Sequence, residues 1–337
     1  MKLIIPMAGR GTRVRPHSHV TPKPLLPVCG KSMVERIVST FSDVLPRPIT
    51  EAVFVLGPDF GQEVRDELTA VCRRHGATAH FAVQDVARGT AHAVACAGDH
   101  MDGEGIVVFA DTLFFMKPDL DLEGADVVAW VKHVDDPSRF GVAVREGDRV
   151  VRLVEKPAEL ISTEALIGIY WCRDLGMLQQ AIQYLFDENL TGHGDEYQLT
   201  DAFDRMLKQD RVFKTATVTE WLDCGTIPAL LDTTRVILRH ENHAPDPARV
   251  SDNAIIHEPV FLGEGATISG GVVGPHASVE AGARITNSHV SDSIVFGDAT
   301  VVQSRLSKSL VGRSAEVTGF DGALNIGDHS SVSAHLP

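Results

Sequence analysis

The 337 residues predict an α/β sheet domain followed by a left-handed parallel β-helix, and two patterns carry that prediction. Over the first 240 residues, short runs rich in Val, Ile and Phe alternate with stretches whose apolar residues recur at helical spacing. Such alternation implies a Rossmann-like, mostly parallel sheet with helices on both faces. Beyond it, Val, Ile or Leu returns at steps of five or six residues, and each set of three steps repeats after 16 or 17 residues. One short strand per step and three steps per turn describe coils of hexapeptide repeats.

In chain order, strands are expected at 2–6, 51–56, 79–83 and 105–110, with helices between them at 33–41, 61–75 and 90–97. Within 61–75, Val64, Leu68 and Val71 share one helical face. Further strands are expected at 126–133, 141–144, 149–153 and 167–172, then helices at 174–185 and 196–209, a strand at 211–218 and a helix at 227–239. Pro245-Asp246-Pro247 closes this region, so the expected domains are 1–244 and 250–335, as the chain length also suggests. The solenoid steps fall on Ile256, Leu262 and Ile268, on Val273, Val279 and Ile285, on Val290, Val295 and Val301, and on Leu306, Val311 and Val317. Glycines follow several steps, at Gly263, Gly274, Gly297, Gly312 and Gly327. A β-sandwich would instead place turn signals every 8–12 residues or so. Stacked coils expose a regular flank, so a homo-oligomer assembled through the β-helix is expected.

Composition narrows the class of function. The chain is 44% apolar and 23% charged, with no run approaching the ~20 apolar residues of a membrane span. The opening Leu3-Ile4-Ile5-Pro6 is too short for a signal peptide, and Cys29, Cys72, Cys96, Cys172 and Cys224 show no metal spacing, so a cytoplasmic protein is expected. A net charge of −14 argues against nucleic acid or an anionic membrane as partner. Yet residues 1–36 hold seven bases (Lys2, Arg10, Arg13, Arg15, Lys23, Lys31, Arg36) against the single acid Glu35. That local excess of +6 leaves −20 on the rest, and a cationic pocket in an acidic protein suits a polyanionic small molecule.

The first strand feeds Ala8-Gly9-Arg10-Gly11-Thr12-Arg13. A dinucleotide fingerprint needs a third glycine where Val14 stands. A P-loop ending at Gly30-Lys31-Ser32 needs its first glycine where Leu25 stands, between Pro24 and Pro27. What remains is a glycine turn whose backbone N–H groups can close on phosphate oxygens while arginines supply charge.

With Pro22-Lys23-Pro24-Leu25-Leu26-Pro27-Val28 downstream, this segment resembles the signature of the sugar-1-phosphate nucleotidylyltransferases, particularly the glucose-1-phosphate thymidylyl- and uridylyltransferases. Six further stretches resemble that family in its order: "QDVARGTA" from Gln84, Phe109-Ala110-Asp111, Phe140-Gly141-Val142, "VEKP" from Val154, Ile167-Gly168-Ile169-Tyr170, and "WLDCGT" from Trp221. Relatives often have Gly-Asp-Asn where this chain has Ala110-Asp111-Thr112, a change beside the carboxylate and not at it.

The resemblance implies Mg²⁺-dependent transfer of a nucleotidyl group from dTTP or UTP to a hexose 1-phosphate, with pyrophosphate leaving. It implies nucleotide contacts at Ala8, Gly9, Gly11, Thr12, Gln84, Gly89 and Thr90, catalysis by Arg13 and Lys23, and Mg²⁺ ligation by Asp111 and Asp223. Gly141, Glu155, Lys156 and Gly168 are implied in holding the sugar phosphate. Alone, Asp111 and Asp223 read equally as turn residues, and Lys156-Pro157 as a surface turn. His17 and His19 lack further metal ligands nearby in sequence and read as a polar loop. Two other functions stay open. The β-helix, with His257, His276, His289 and His329, could add acyl transfer to an amino-sugar phosphate, or the chain could be a non-catalytic nucleotide-sugar-binding regulatory subunit.

Overall fold

The computed structural model describes residues 1–334 except 10, 119, 242 and 244. The expectations placed on Arg10 and on the boundary residues 244 and 335 therefore lie outside the described residues. The chain divides into two compact units, Met1–Gly9 with Ile37–Trp221, and Arg10–Arg36 with Leu222–Pro337. Among the described residues, no helix is long and apolar enough to cross a membrane.

Among the described residues, the first unit is built on a nine-stranded sheet. Its strands are β1 (Lys2–Pro6), β2 (Glu51–Leu56), β3 (Thr78–Val83), β4 (Gly105–Val108), β5 (Val127–His133), β6 (Val142–Glu146), β7 (Arg149–Val154), β8 (Glu164–Cys172) and β9 (Phe213–Thr217). They run in the order β7-β6-β8-β4-β1-β2-β3, with β5 against β8 and β9 against β5. β4, β1, β2 and β3 are mutually parallel. β8 runs antiparallel to β4, β5 and β6, and β6 antiparallel to β7, so the sheet is mixed, with its parallel part at β4-β1-β2-β3 and at β5-β9. Past their first residues the central strands are apolar, as burial on both faces requires: Leu3, Ile4 and Ile5 of β1 and Val53, Phe54 and Val55 of β2 are fully buried.

The helices are α1 (Met33–Val44), α2 (Gln62–Arg74), α3 (Thr90–Ala95), α4 (Leu175–Asp187), α5 (Leu199–Leu207) and α6 (Ile227–His240). Local chemistry sets several of their starts. Ser32 Oγ accepts the N–H of Glu35 at 3.2 Å, Asp174 that of Gly176 at 2.9 Å and Thr226 that of Ala229 at 3.3 Å, each satisfying a donor that the first turn leaves open. α5 starts at Leu199, three residues later than the 196 expected from sequence. There the hydroxyl of Thr90 accepts the Leu199 N–H at 2.9 Å, so a residue of α3 caps α5. β8 begins earlier than expected, at Glu164, and its register is interrupted between Leu166 and Tyr170, around Gly168 at φ +77°.

In the second unit the C-terminal strands stack as the repeats require. Val273 pairs with Ile256 and then Val290 with Val273, Val279 with Leu262 and then Val295 with Val279, Ile285 with Ile268 and then Val301 with Ile285, all parallel. From Ile268 to Val317 the step residues are buried and form one continuous core. Serine ladders complete the coils. Ser304 N–H donates to Ser288 Oγ at 3.1 Å and Phe320 N–H to Ser304 Oγ at 3.1 Å, while Ser309 N–H donates to Ser293 Oγ at 3.0 Å and Leu324 N–H to Ser309 Oγ at 2.9 Å. These hydroxyls satisfy corner N–H groups that the strand ladders do not reach, which a buried solenoid corner must do.

Ser309 is fully buried, so Ser309→Ala strands the Leu324 N–H. The variant is expected to lose about 1–3 kcal/mol, the cost of an unmet buried donor. The midpoint of the β-helix unfolding transition in urea measures this; a midpoint equal to that of wild type would refute the ladder's role.

Candidate active site

Open α/β sheets bind ligands at the carboxyl ends of their parallel strands. Four parallel strands here release their chains at one such edge. β1 leads into Met7-Ala8-Gly9, β2 into Gly57, β3 into Gln84, and β4 into Phe109-Ala110-Asp111. Met7 N–H donates to Val55 O at 2.9 Å and Gln84 N–H to Leu56 O at 2.8 Å, so the first and third of these segments stay in register as they leave the sheet. Asp111 is exposed in the turn after β4.

Gln84 is buried, and its amide Nε2 donates to His92 Nδ1 at 3.0 Å. Burial, with Arg88 nearby, holds the His92 imidazole below its usual pKa, which favours the neutral ring that can accept this bond. His92 escaped the sequence reading, although its position eight residues after Gln84, on α3, was visible.

Gly89 precedes α3 at φ +112°, and a Cβ there would stand 2.4 Å from Tyr197 O and 2.7 Å from Tyr197 N. Only glycine permits this approach. The Tyr197 backbone bonds on both sides of it: Tyr197 N–H donates to Arg88 O and Ala91 N–H to Tyr197 O, each at 2.9 Å. The Thr90 hydroxyl lies 3.1 Å from Gln198 Oε1, and Gln198 is itself buried with its amide donating to His193 O at 2.9 Å. Tyr197 and Gln198 thus brace the segment of Gly89 and Thr90, where sequence placed only a helix start.

Gly141, Glu155 and Lys156 come together in the same unit. A Cβ at Gly141 would stand 2.9 Å from Glu155 Oε2, and the Thr200 hydroxyl donates to that oxygen at 3.2 Å. Lys156 takes a left-handed backbone, φ +40°, while its N–H donates to Phe140 O at 3.1 Å. That conformation costs a non-glycine residue roughly 1–2 kcal/mol, and such strain concentrates at working sites. Lys156 Nζ stands 3.8 Å from Glu155 Oε1. Asp201, half-buried nearby, has its carboxyl held above the usual range by burial and then by the charges of Glu155 and Asp204. Gly168 sits at the β8 irregularity, where its carbonyl accepts the N–H of Phe109 at 3.0 Å. The strand end before Asp111 is thereby tied to the segment carrying Gly168.

The remaining predicted residues lie in the second unit. Gly11 opens the single turn Thr12–Val14 with φ +57°, and a Cβ there would meet Lys23 Cβ at 2.7 Å, so the two signature halves pack against each other. Lys23 is buried. Asp223 Oδ1 accepts the Gly225 N–H at 2.6 Å, and a Cβ on Gly225 would lie 2.8 Å from that oxygen and 3.2 Å from an Arg13 guanidinium nitrogen. Arg13 and Asp223 therefore flank one backbone turn.

The same unit packs the signature segment on the solenoid. The buried Glu280 carboxylate accepts the Gly30 N–H at 3.1 Å and the Ser278 hydroxyl at 2.7 Å. Gly30 stands at φ +81° with its Cα against the Phe261 ring, where a Cβ would come within 2.4 Å. His17 Nε2 lies 2.6 Å from Asn325 Oδ1. Burial pushes the Cys29 thiol up to about 12, which makes it inert. Two members of the basic cluster turn out to be neutralised: Arg36 pairs with Glu241 and also donates to Val28 O and Cys29 O, and Lys2 pairs with Asp102. The cluster counted from sequence is correspondingly smaller as a pocket for anions.

The sequence profile described as "Nucleotidyl transferase" matches residues 2–240. The chain belongs to the nucleotidyl transferase family. Among relatives of this nucleotidyltransferase, the low-salt glycan biosynthesis nucleotidyltransferase Agl11 of Haloferax volcanii is 27% identical over 96% of this chain and 96% of its own length. A glucose-1-phosphate thymidylyltransferase of Streptomyces antibioticus is 27% identical over 98% of this chain and 99% of its own. The solved structure of a UDP-glucose pyrophosphorylase complexed with UDP-glucose shares the fold, at a TM-score of 0.57 and 20% identity, over 71% of this chain and 99% of that one.

Burial holds the Glu280 carboxyl above the usual range, against the opposing effects of Ser278, the Gly30 and Cys29 N–H groups and Arg36. A raised folded value means that its contribution to stability is full below the unfolded value of 4.5 and is lost as pH rises through the folded one. Glu280→Gln removes that titration. The stability margin of wild type over Glu280→Gln is therefore expected to be larger near pH 5 than near pH 8, read from unfolding midpoints at both; a margin independent of pH would contradict the assignment.

Proposed function

We propose that this nucleotidyltransferase transfers a nucleotidyl group from dTTP or UTP to a hexose 1-phosphate, glucose 1-phosphate foremost, and releases pyrophosphate. The observation that carries this reading is Gln84, buried at the carboxyl end of β3 beside the Gly89 turn, with its amide nitrogen engaged by His92. That bond orients the side chain so that its carbonyl oxygen serves as an acceptor, and the N3–H of thymine or uracil is the donor it suits. Adenine has no ring N–H on that edge and would leave the buried acceptor unmet, at a cost of roughly 1–3 kcal/mol.

In the reaction an oxygen of the sugar phosphate attacks the α-phosphorus in line, the bond to the bridging oxygen breaks, and pyrophosphate leaves with the electron pair. Two anions must meet, so charge neutralisation and positioning are the protein's main tasks. Ala8, Gly9, Gly11 and Thr12 would present backbone N–H groups to phosphate, and Arg13 would neutralise the departing pyrophosphate. Lys23 would sit by the α-phosphate, Lys156 would anchor the sugar phosphate, and Glu155 would take sugar hydroxyls. Asp111 and Asp223 offer the hard oxygen donors that Mg²⁺ takes as one or two carboxylates beside phosphate oxygens, and they would hold it; its contribution is to neutralise charge on those oxygens. Assembly through the flank of the β-helix belongs to the same proposal.

Asp111 is exposed, so Asp111→Asn should leave the unfolding midpoint nearly unchanged while removing turnover. The loss of a metal carboxylate is worth several kcal/mol of barrier, about a thousandfold in rate. Pyrophosphate release by the variant at limiting Mg²⁺ is the measurement, and a wild-type rate would remove Asp111 from the metal site. With glucose 1-phosphate as acceptor, kcat/KM should favour dTTP and UTP over ATP and GTP by at least about tenfold, with the two pyrimidines within about tenfold of each other because one methyl separates them. A purine nucleotide that wins this comparison would overturn the role given to Gln84.

A further inference from the structure

At the opposite end of the parallel strands, three side chains converge that the nucleotidyl transfer chemistry does not use. Glu51 opens β2, and His80 lies on β3, where Val53 is its register partner. Glu51 and Val53 point to the same face of the sheet, so Glu51 and His80 are diagonal neighbours on that face. His100 reaches them from the single turn Gly98–His100 that follows α3. His80 Nε2 lies 3.3 Å from Glu51 Oε2 and His100 Nδ1 3.9 Å from the same oxygen. The two imidazole rings stand 4.3 Å apart, and one donor atom from each of the three residues lies within 4.8 Å of the others. All three side chains are about one-third exposed, which leaves a path for an ion. Lys2, the register partner of Glu51 on β1, has its ammonium on Asp102.

We propose that Glu51, His80 and His100 form a binding site for one divalent transition-metal ion of the zinc type. Ligand atoms 2.0–2.1 Å from a tetrahedral centre stand roughly 3.3–3.4 Å from each other, a spacing these three reach with small side-chain rotations. Two imidazoles and one carboxylate select zinc, cobalt or nickel over Mg²⁺, which wants oxygen alone. A water completes the fourth position. β3 is an edge strand of the sheet, and the ion would tie it to β2 and to the turn after α3. The site shares no residue with the Mg²⁺ carboxylates proposed for catalysis and does not depend on that reading.

The test uses the full chain stripped of metal and titrated with Zn²⁺ alone by calorimetry, and with Co²⁺ alone in the visible spectrum. One Zn²⁺ per chain is expected, with Co²⁺ giving the d–d bands of a tetrahedral site. Both His80→Gln and His100→Gln should weaken Zn²⁺ binding at least about tenfold and abolish the bands. If His80→Gln, on the strand, fails to fold, His100→Gln on the surface turn decides alone. Absence of Zn²⁺ uptake by wild type, or uptake that either folded variant leaves unchanged, would overturn the proposal.

Discussion

The Glu280 carboxylate lies buried within the β-helix, and it is the hydrogen-bond acceptor for the backbone N–H of Gly30. A buried carboxylate is costly unless its oxygens are met, so this contact constrains both sides. The solenoid coil must present Glu280 and Ser278 together, and the chain at 29–30 must bring its backbone close enough to satisfy them. Phe261 enforces the second condition by leaving no space for a side chain at residue 30. Arg36 reinforces it by joining the Val28 and Cys29 carbonyls to Glu241. The segment that carries Arg13 and Lys23 is thus seated on the C-terminal solenoid, and the positions of these two cations inherit its rigidity.

A comparable constraint organises the α/β unit. The Tyr197 backbone passes so close to Gly89 that residue 89 has no room for a Cβ, and bonds on either side hold 88–91 against 197–199. Thr90 then caps α5, and Thr200, in the first turn of that helix, donates to Glu155. The segment assigned to the base and the one assigned to the sugar are therefore joined through α5. A change at Gly89 or Thr90 would be felt at Glu155 by way of that helix.

Much of this protein was readable from its residues alone. Strand–helix alternation, the steps of five or six residues and the two signature segments rest on local periodicity and short motifs, which need no knowledge of distant contacts. Hence the parallel sheet, the coil register from Ile256 to Val317 and the nucleotidyltransferase family were all in reach. The serines keep the repeat spacing too, Ser304 following Ser288 and Ser309 following Ser293 by 16 residues, but without the coils nothing marks those hydroxyls as buried acceptors.

Only the tertiary structure decided which polar groups are occupied. Lys2 and Arg36 counted equally with Arg13 in a charge tally, yet Asp102 and Glu241 take them up across 100 and 205 residues of chain. The start of α5 moved from 196 to 199 because its cap comes from Thr90, more than a hundred residues earlier. Tyr197 at Gly89 and Glu280 at Gly30 were likewise invisible. The reason is common to all of them. Sequence periodicity reports which face of an element is buried, whereas the partner of a given charge or N–H group depends on which distant segment the fold brings within about 3 Å of it.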